Sequence, residues 1–151
     1  MNLHDLGEVI DAFYDTISGP AGGQDWERAK VLFHPDARMV RTRLDENGQP
    51  IAFSFSVEGY REATAPLLAT MDFYEEEIAA RTIRFGNIAQ RFSAYEAYDR
   101  PEGGRLIKRG MNMIQLFDDG TRWWIMHVIW DDEREGVTLP WTIFEDWRDV
   151  D

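Results

Sequence analysis

The stretch at residues 105–131, RLIKRGMNMIQLFDDGTRWWIMHVIWD, decides the fold. Arg105 to Phe117 and Arg122 to Asp131 are long runs rich in apolar and aromatic residues, and Asp118-Asp119-Gly120 between them is a turn. They read as a hairpin. Working upstream, Pro101-Glu102-Gly103-Gly104 turns the chain back to a strand over Ile88 to Arg100, and Gly86-Asn87 joins that strand to another over Phe73 to Phe85. Four long strands joined by short turns make an antiparallel meander.

The N-terminal half has a different rhythm. Leu6, Val9, Ile10, Phe13, Tyr14 and Ile17 recur at spacings of three and four, which predicts an amphipathic helix within Leu3 to Ser18. Gly19-Pro20-Ala21-Gly22-Gly23 stops it. Asp25 is a candidate N-cap for a short helix through Phe33, with Trp26, Ala29, Val31, Leu32 and Phe33 as its buried residues, ended by His34-Pro35-Asp36. Ala37 to Leu44 reads as a strand, Asp45-Glu46-Asn47-Gly48 as a turn, and Ile51 to Ser56 as the returning strand. A third helix is expected over Tyr60 to Thr70, with Pro66 forcing a kink or an early end. Helices first and a long meander last predict an α+β fold: a cone-shaped, curved, antiparallel or mixed sheet covered on its concave face by about three N-terminal helices. Residues 1–151 are read as one domain. The tail from Asp132 carries Leu139, Trp141, Ile143, Phe144 and Trp147, and its docking place is not legible.

Composition narrows the function classes. The chain has no cysteine, which excludes disulfides, thiolate metal sites and a Cys nucleophile. Acids outnumber bases 28 to 16, giving a net charge of −12, so a nucleic-acid partner would be repelled. No apolar run is long enough to span a bilayer and the first residues lack a signal-peptide pattern, which predicts a cytoplasmic protein without a membrane partner.

Register arithmetic sorts the last three strands. Symmetric closure of the turns sets Glu96 opposite Arg109, Ser93 opposite Asn112, Phe117 opposite Arg122, Met113 opposite Met126 and Arg109 opposite Trp130. One face then carries Ser93, Tyr95, Asn112, Ile114, Leu116, Trp123, Ile125, His127 and Ile129. The other carries Phe92, Glu96, Arg109, Met111, Met113, Trp124, Met126, Val128 and Trp130. Both faces are apolar, and helices can cover only one. The exposed one is expected to bury itself against a second copy of the chain.

This pattern resembles the nuclear transport factor 2-like superfamily, which includes SnoaL-like proteins and ketosteroid isomerase. The resemblance runs to about Glu135. Its carriers are Val9-Ile10-Asp11-Ala12-Phe13-Tyr14, Asp25-Trp26-Glu27, Leu32-Phe33-His34-Pro35-Asp36-Ala37, Val57-Glu58-Gly59-Tyr60-Arg61-Glu62-Ala63 and Gly120-Thr121-Arg122-Trp123-Trp124-Ile125. Phe85-Gly86-Asn87-Ile88-Ala89, Tyr95-Glu96 and Arg109-Gly110 point more narrowly to uncharacterised bacterial members. The resemblance of Met126-His127-Val128-Ile129-Trp130 to the isomerase's last strand implies that Met126 and Trp130 point into the pocket. By register, Met111, Met113, Phe92, Arg109 and Glu96 would go with them. The same resemblance puts Arg41 where the isomerase has its Asp base and Met113 where it has its protonated Asp. Only its Tyr persists, as Tyr14. Ketosteroid isomerisation by that route is therefore not expected.

The expected binding site is an apolar pocket bordered by Tyr14, Tyr60, Met111, Met113, Met126 and Trp130. Arg41 would be its charged anchor, and Glu96 and Arg109 would be either a cross-strand ion pair or an acid–base group beside its cation. Methionines in place of branched residues suit a space that must adapt to its occupant. His34 is read as a helix-end cap and His127 as a polar group on the dimer face. Glu75-Glu76-Glu77 and Asp131-Asp132-Glu133 alternate across a sheet and do not chelate, so no metal and no cofactor are expected. The leading expectation is a dimeric domain that binds a small apolar or weakly anionic molecule. The alternatives are a small isomerase, dehydratase or hydrolase, which needs a carboxylate or His inside the cavity, and a non-catalytic dimerisation or interaction module.

Overall fold

A computed structural model describes residues 1–145. In chain order the elements are α1 (Leu6–Ile17), α2 (Trp26–Leu32), β1 (Phe33–Leu44), β2 (Pro50–Phe55), α3 (Val57–Leu68), β3 (Tyr74–Phe85), β4 (Ile88–Tyr98), β5 (Leu106–Asp118), β6 (Trp123–Asp132) and α4 (Thr142–Glu145). The α+β architecture is the expected one. Six strands form one sheet in the order β2-β1-β6-β5-β4-β3, with β1 and β6 parallel and every other pair antiparallel. Among the described residues, no helix is long and apolar enough to cross a membrane.

Side-chain caps set the helix starts. Asp5 accepts from Glu8 N, Asp25 from Arg28 N and Ser56 from Gly59 N, each satisfying an amide that has no partner within its helix. The Ser56 cap starts α3 at Val57, earlier than the expected Tyr60. The second helix ends sooner than expected: Phe33 already has extended backbone and begins β1, which absorbs His34-Pro35-Asp36. The register between β1 and β6 shifts between Phe33 and Arg38, and such an irregularity accommodates Pro35, which has no N–H to donate. Val31, expected to be buried, is exposed on α2.

The core forms where α1 and α2 lie on the sheet. Val9, Ile10 and Phe13 pack with Ala29, Leu32, Tyr95, Ile114, Leu116, Trp123, Ile125 and Val128, all at most 4% exposed. Burying each large side chain contributes roughly 1.5–3 kcal/mol, which is what holds the helices to the sheet. Gly110 is part of this fit, because a Cβ there would collide with the Asp131 carbonyl and the Tyr95 phenol.

The sheet corrects the expected faces. β4 and β5 pair as predicted, Glu96 with Arg109 and Ser93 with Asn112. β5 and β6 do not. The Asp119 carboxylate accepts from the amides of Thr121 and Arg122 and from the Thr121 hydroxyl, and Asp119 N bonds Arg122 O. That wider loop sets Phe117 opposite Trp124 rather than Arg122. A second shift follows: Leu116 pairs with Ile125 but Gln115 with His127, leaving Met126 as a bulge residue. Beyond the bulge the side chains change sides. Trp123, Ile125, Val128 and Trp130 therefore all face the helices, and Asn112 rather than Arg109 stands opposite Trp130. Ser93, Tyr95, Trp123 and Ile125, expected on a dimer face, are core residues. Met111, Met113, Glu96 and Arg109, expected inside, lie on the opposite face with Ile129. Met113 is 42% exposed.

Candidate functional site

The sheet and helices part at one end to leave a pocket of about 240 Å³. Phe13 and Ile17 of α1, Trp26 of α2, Leu67 and Leu68 of α3, and Met39 and Trp130 of the sheet form its apolar wall. Tyr60 enters from α3 and is held edge-on by Trp130, with ring centroids 5.4 Å apart, and by Trp26 at 6.1 Å. The polar part of the wall consists of Arg41, Tyr60, Thr64, Glu75, Lys108 and Asn112.

Of the residues expected at the site, Arg41, Tyr60 and Trp130 line this pocket. Tyr14 stands one hydrogen bond behind the wall: Asn112 Nδ2 donates to its hydroxyl at 2.9 Å. Met111, Met113, Met126, Glu96 and Arg109 are outside. Met126 instead lines a groove on the opposite face with Ile83, Phe85 and Phe117. Glu96 and Arg109 form an ion pair there, joined by the Tyr98 hydroxyl on Glu96 at 2.9 Å and by Glu133 at 3.4 Å from Arg109. Burial alone would raise the Glu96 pKa, but the hydrogen bonds from Arg109 and Tyr98 outweigh it and hold the carboxyl below its usual range. The position that the resemblance gives to a late acid, Met113, thus faces away from the pocket, and its neighbour Asn112 faces in. His34 does not cap a helix. Its Nδ1 accepts from Asp36 N at 3.1 Å and its ring meets Trp124 edge-on. His127 pairs with Gln115 across the outer face.

Arg41 sits on β1 opposite Phe53, with its guanidinium carbon 5.7 Å from that ring. Its Nε is sealed from solvent, and among the described residues it has no hydrogen-bond partner and no carboxylate pairs with the guanidinium. A guanidinium with an unused donor on an apolar wall is an anchor for an electron-rich group.

Glu75 and Asn112 are the functional candidates that sequence reading missed. Glu75 lies on β3 opposite Ala97, and Asn112 on β5 opposite Ser93. The Asn112 amide divides its two donors between the Tyr14 hydroxyl and Glu75 Oε1, the latter at 3.3 Å. Tyr14 and Ser93 share a 2.6 Å hydrogen bond, and Ser93 donates to Glu77 Oε2 at 2.5 Å. Arg91 grips Glu77 with Nε at 3.0 Å and Nη2 at 2.6 Å. Since Ser93 gives its only proton to Glu77, Tyr14 must donate to Ser93 and accept from Asn112, which fixes the direction of the whole chain. Alternation along a strand was the available signal: Glu75 and Glu77, two apart, share the helix-covered face.

The electrostatics distinguish these groups. Desolvation by burial pushes the Glu75 carboxyl up to about 7, against the Lys108 charge and the Asn112 hydrogen bond that lower it, and with the Asp132 charge that adds to the rise. Burial, then the charge of Glu75, raises the Tyr14 and Tyr60 phenols well above their usual range. Both are neutral hydrogen-bond donors at neutral pH. Lys108 lies at the polar end, its Nζ 3.8 Å from Asp132 Oδ1, and Asp132 also accepts from the Tyr95 hydroxyl. Among the described residues, no group of three or more His, Asp or Glu converges as metal ligands would.

No family model matches the chain. No curated protein matches it either. Solved structures do match. A nuclear transport factor 2-like superfamily protein of Salmonella enterica has 15% identity and a TM-score of 0.62, over 88% of this chain and 92% of its own. A protein of unknown function with a cystatin-like fold from Nostoc punctiforme has 16% identity and a TM-score of 0.66, over 93% and 98%. An NTF2-like protein of unknown function from Pseudomonas aeruginosa has 16% identity and a TM-score of 0.58, over 85% and 95%. The chain has the nuclear transport factor 2-like fold.

Proposed function

We propose that the protein binds a compact, largely apolar molecule with an anionic end, seated in the pocket with that end on Arg41. The observation that carries this reading is the Arg41 side chain, which lines an otherwise mostly apolar wall with a buried Nε that nothing among the described residues satisfies. A buried unpaired donor costs roughly 1–3 kcal/mol, and a ligand oxygen that accepts from it recovers that cost on binding. The volume suits a molecule of about a dozen heavy atoms. The test is calorimetry with 4-phenylbutanoate and 4-phenylbutanol. The acid is expected to bind the tighter, and Arg41→Met to weaken the acid by about tenfold while leaving the alcohol unchanged. Equal losses for both would refute the anchor.

Two further parts belong to this reading. The protein acts as a homodimer through the outer sheet face, where Met111, Met113 and Ile129 sit with no helix above them among the described residues. Light scattering is expected to give about twice the chain mass of 17.6 kDa, and Met113→Glu to halve the value. The working compartment is the cytoplasm, which cell fractionation tests.

A further inference from the structure

Three carboxylates stand at or near the polar end of the pocket, and two of them are engaged. Glu77 is held by Arg91 and Ser93. Asp132 is held by the Tyr95 hydroxyl and Lys108. Glu75 is the only acid on the pocket wall among the described residues. A single hydrogen bond, from Asn112 to Oε1, orients it, and Oε2 takes part in none among the described residues. A carboxylate oriented by one neutral donor, with its second oxygen uncommitted on the wall of an apolar cavity, is arranged to exchange a proton with whatever occupies that cavity.

We propose that Glu75 is a catalytic base that removes a proton from the carbon next to a carbonyl in a bound oxo acid. The proposal rests on the reading of Arg41 as the carboxylate anchor. With the substrate carboxylate on Arg41 and its apolar remainder against Trp130 and Phe13, the carbonyl segment lies toward Glu75. The C–H bond breaks, and the proton goes to Glu75 as an O–H bond forms. The C–H electron pair becomes the new carbon–carbon double bond as the carbonyl π pair moves onto oxygen. The enolate oxygen is met by the Lys108 ammonium or the Tyr60 hydroxyl, both on the same wall. The Glu75 O–H exchanges with solvent water while the enolate is held, and return of a proton from Glu75, to the same carbon or to one conjugated with it, completes the cycle.

Arg41 of β1 shares the pocket wall with Glu75, and Glu77 lies two residues along β3. Tyr14 of α1 and Tyr60 of α3 are neutral donors, Lys108 of β5 favours the carboxylate, and Asp132 of β6 opposes it. Burial outweighs the rest and leaves the pKa at about 7, so base and conjugate acid are both populated near neutrality.

The test uses 4-phenyl-2-oxobutanoate in deuterium oxide with the full chain, following loss of the C3 proton signals by NMR. Saturable exchange about 100-fold above buffer is expected, rising with pH through about 7. Glu75→Gln is expected to abolish the acceleration while calorimetry shows the oxo acid still bound, and that retained binding certifies the variant's fold. A Glu75→Asp variant is expected to retain part of the exchange. Binding by the wild type without accelerated exchange, or acceleration that survives in Glu75→Gln, overturns the assignment of Glu75. Failure of the oxo acid to bind at all overturns the Arg41 anchor as well.

Discussion

Glu75→Gln makes the energetic claim about the pocket measurable without any substrate. A carboxyl whose pKa rises from 4.5 unfolded to about 7 folded holds its proton more tightly in the native state. Its contribution is therefore most favourable below pH 4.5 and is lost as pH rises toward and through 7. At about 1.4 kcal/mol per pKa unit, the full loss is about 3 kcal/mol. Between pH 5 and 8 the window captures about 2.5 kcal/mol, because part of the unfolded carboxyl is already ionised at pH 5. Glutamine keeps an oxygen to accept from Asn112 and does not titrate. The assay is urea denaturation of wild type and variant at pH 5 and pH 8, comparing the difference between the two proteins so that every other titrating group cancels. The variant is expected to gain about 2.5 kcal/mol on the wild type between the two pH values, and to be the more stable protein at pH 8. A difference that is the same at both pH values would show that Glu75 titrates normally, and the desolvation argument would fall.

Other substitutions probe the surrounding architecture. Gly110→Ala drives a methyl group into the Asp131 carbonyl and the Tyr95 phenol, and is expected to cost about 3 kcal/mol in chemical denaturation. Trp130→Ala, at a side chain only 7% exposed, is expected to cost about 2 kcal/mol rather than the ~3–5 typical of a packed aromatic, because one side of the ring already faces the pocket. Calorimetry should show weaker 4-phenylbutanoate binding in the same variant. Ser56→Ala removes the cap on Gly59 N and is expected to lower stability by about 1 kcal/mol, read as a lower midpoint with an unchanged slope in urea.

The helices were legible because their signals are local. A cap such as Asp25 and a stripe such as Val9, Ile10 and Phe13 each report on the few turns of chain beside them. The β4–β5 pairs were legible from the Pro101–Gly104 turn, although a shift between Ala97 and Tyr98 separates that turn from Glu96–Arg109 and Ser93–Asn112. The inner face of β6 was not. Trp123 to Trp130 is apolar at nearly every position, so alternation carries no information, and a bulge leaves no trace where both faces accept large side chains. Arg41 was found through the resemblance, which sets it at the isomerase's base position, and the sheet puts Met39 and Arg41 on one face with the buried side of β6. Glu75 was missed because the run Glu75-Glu76-Glu77 was weighed only as a metal chelate, which alternation across the strand excludes. Only the folded sheet shows that one of its faces lies under α1.

The bulge at Met126 links fold and site physically. Without it, strict alternation from Ile125 would turn Trp130 outward, and the pocket would lose the ring that holds Tyr60. The same displacement brings Trp130 opposite Asn112, so the apolar wall and the amide that orients Glu75 are neighbours on facing strands. Asn112 cannot be replaced by an apolar residue of equal size without cost at both ends. Tyr14 would keep Ser93 as an acceptor but lose its donor, and Glu75 would lose the hydrogen bond that favours its ionised form. The Arg91–Glu77 pair holds the far end of the chain at Ser93, so the direction of donation is imposed from the side away from the pocket. One carboxylate is spent on order, and the ordering leaves the other facing the cavity with an oxygen free.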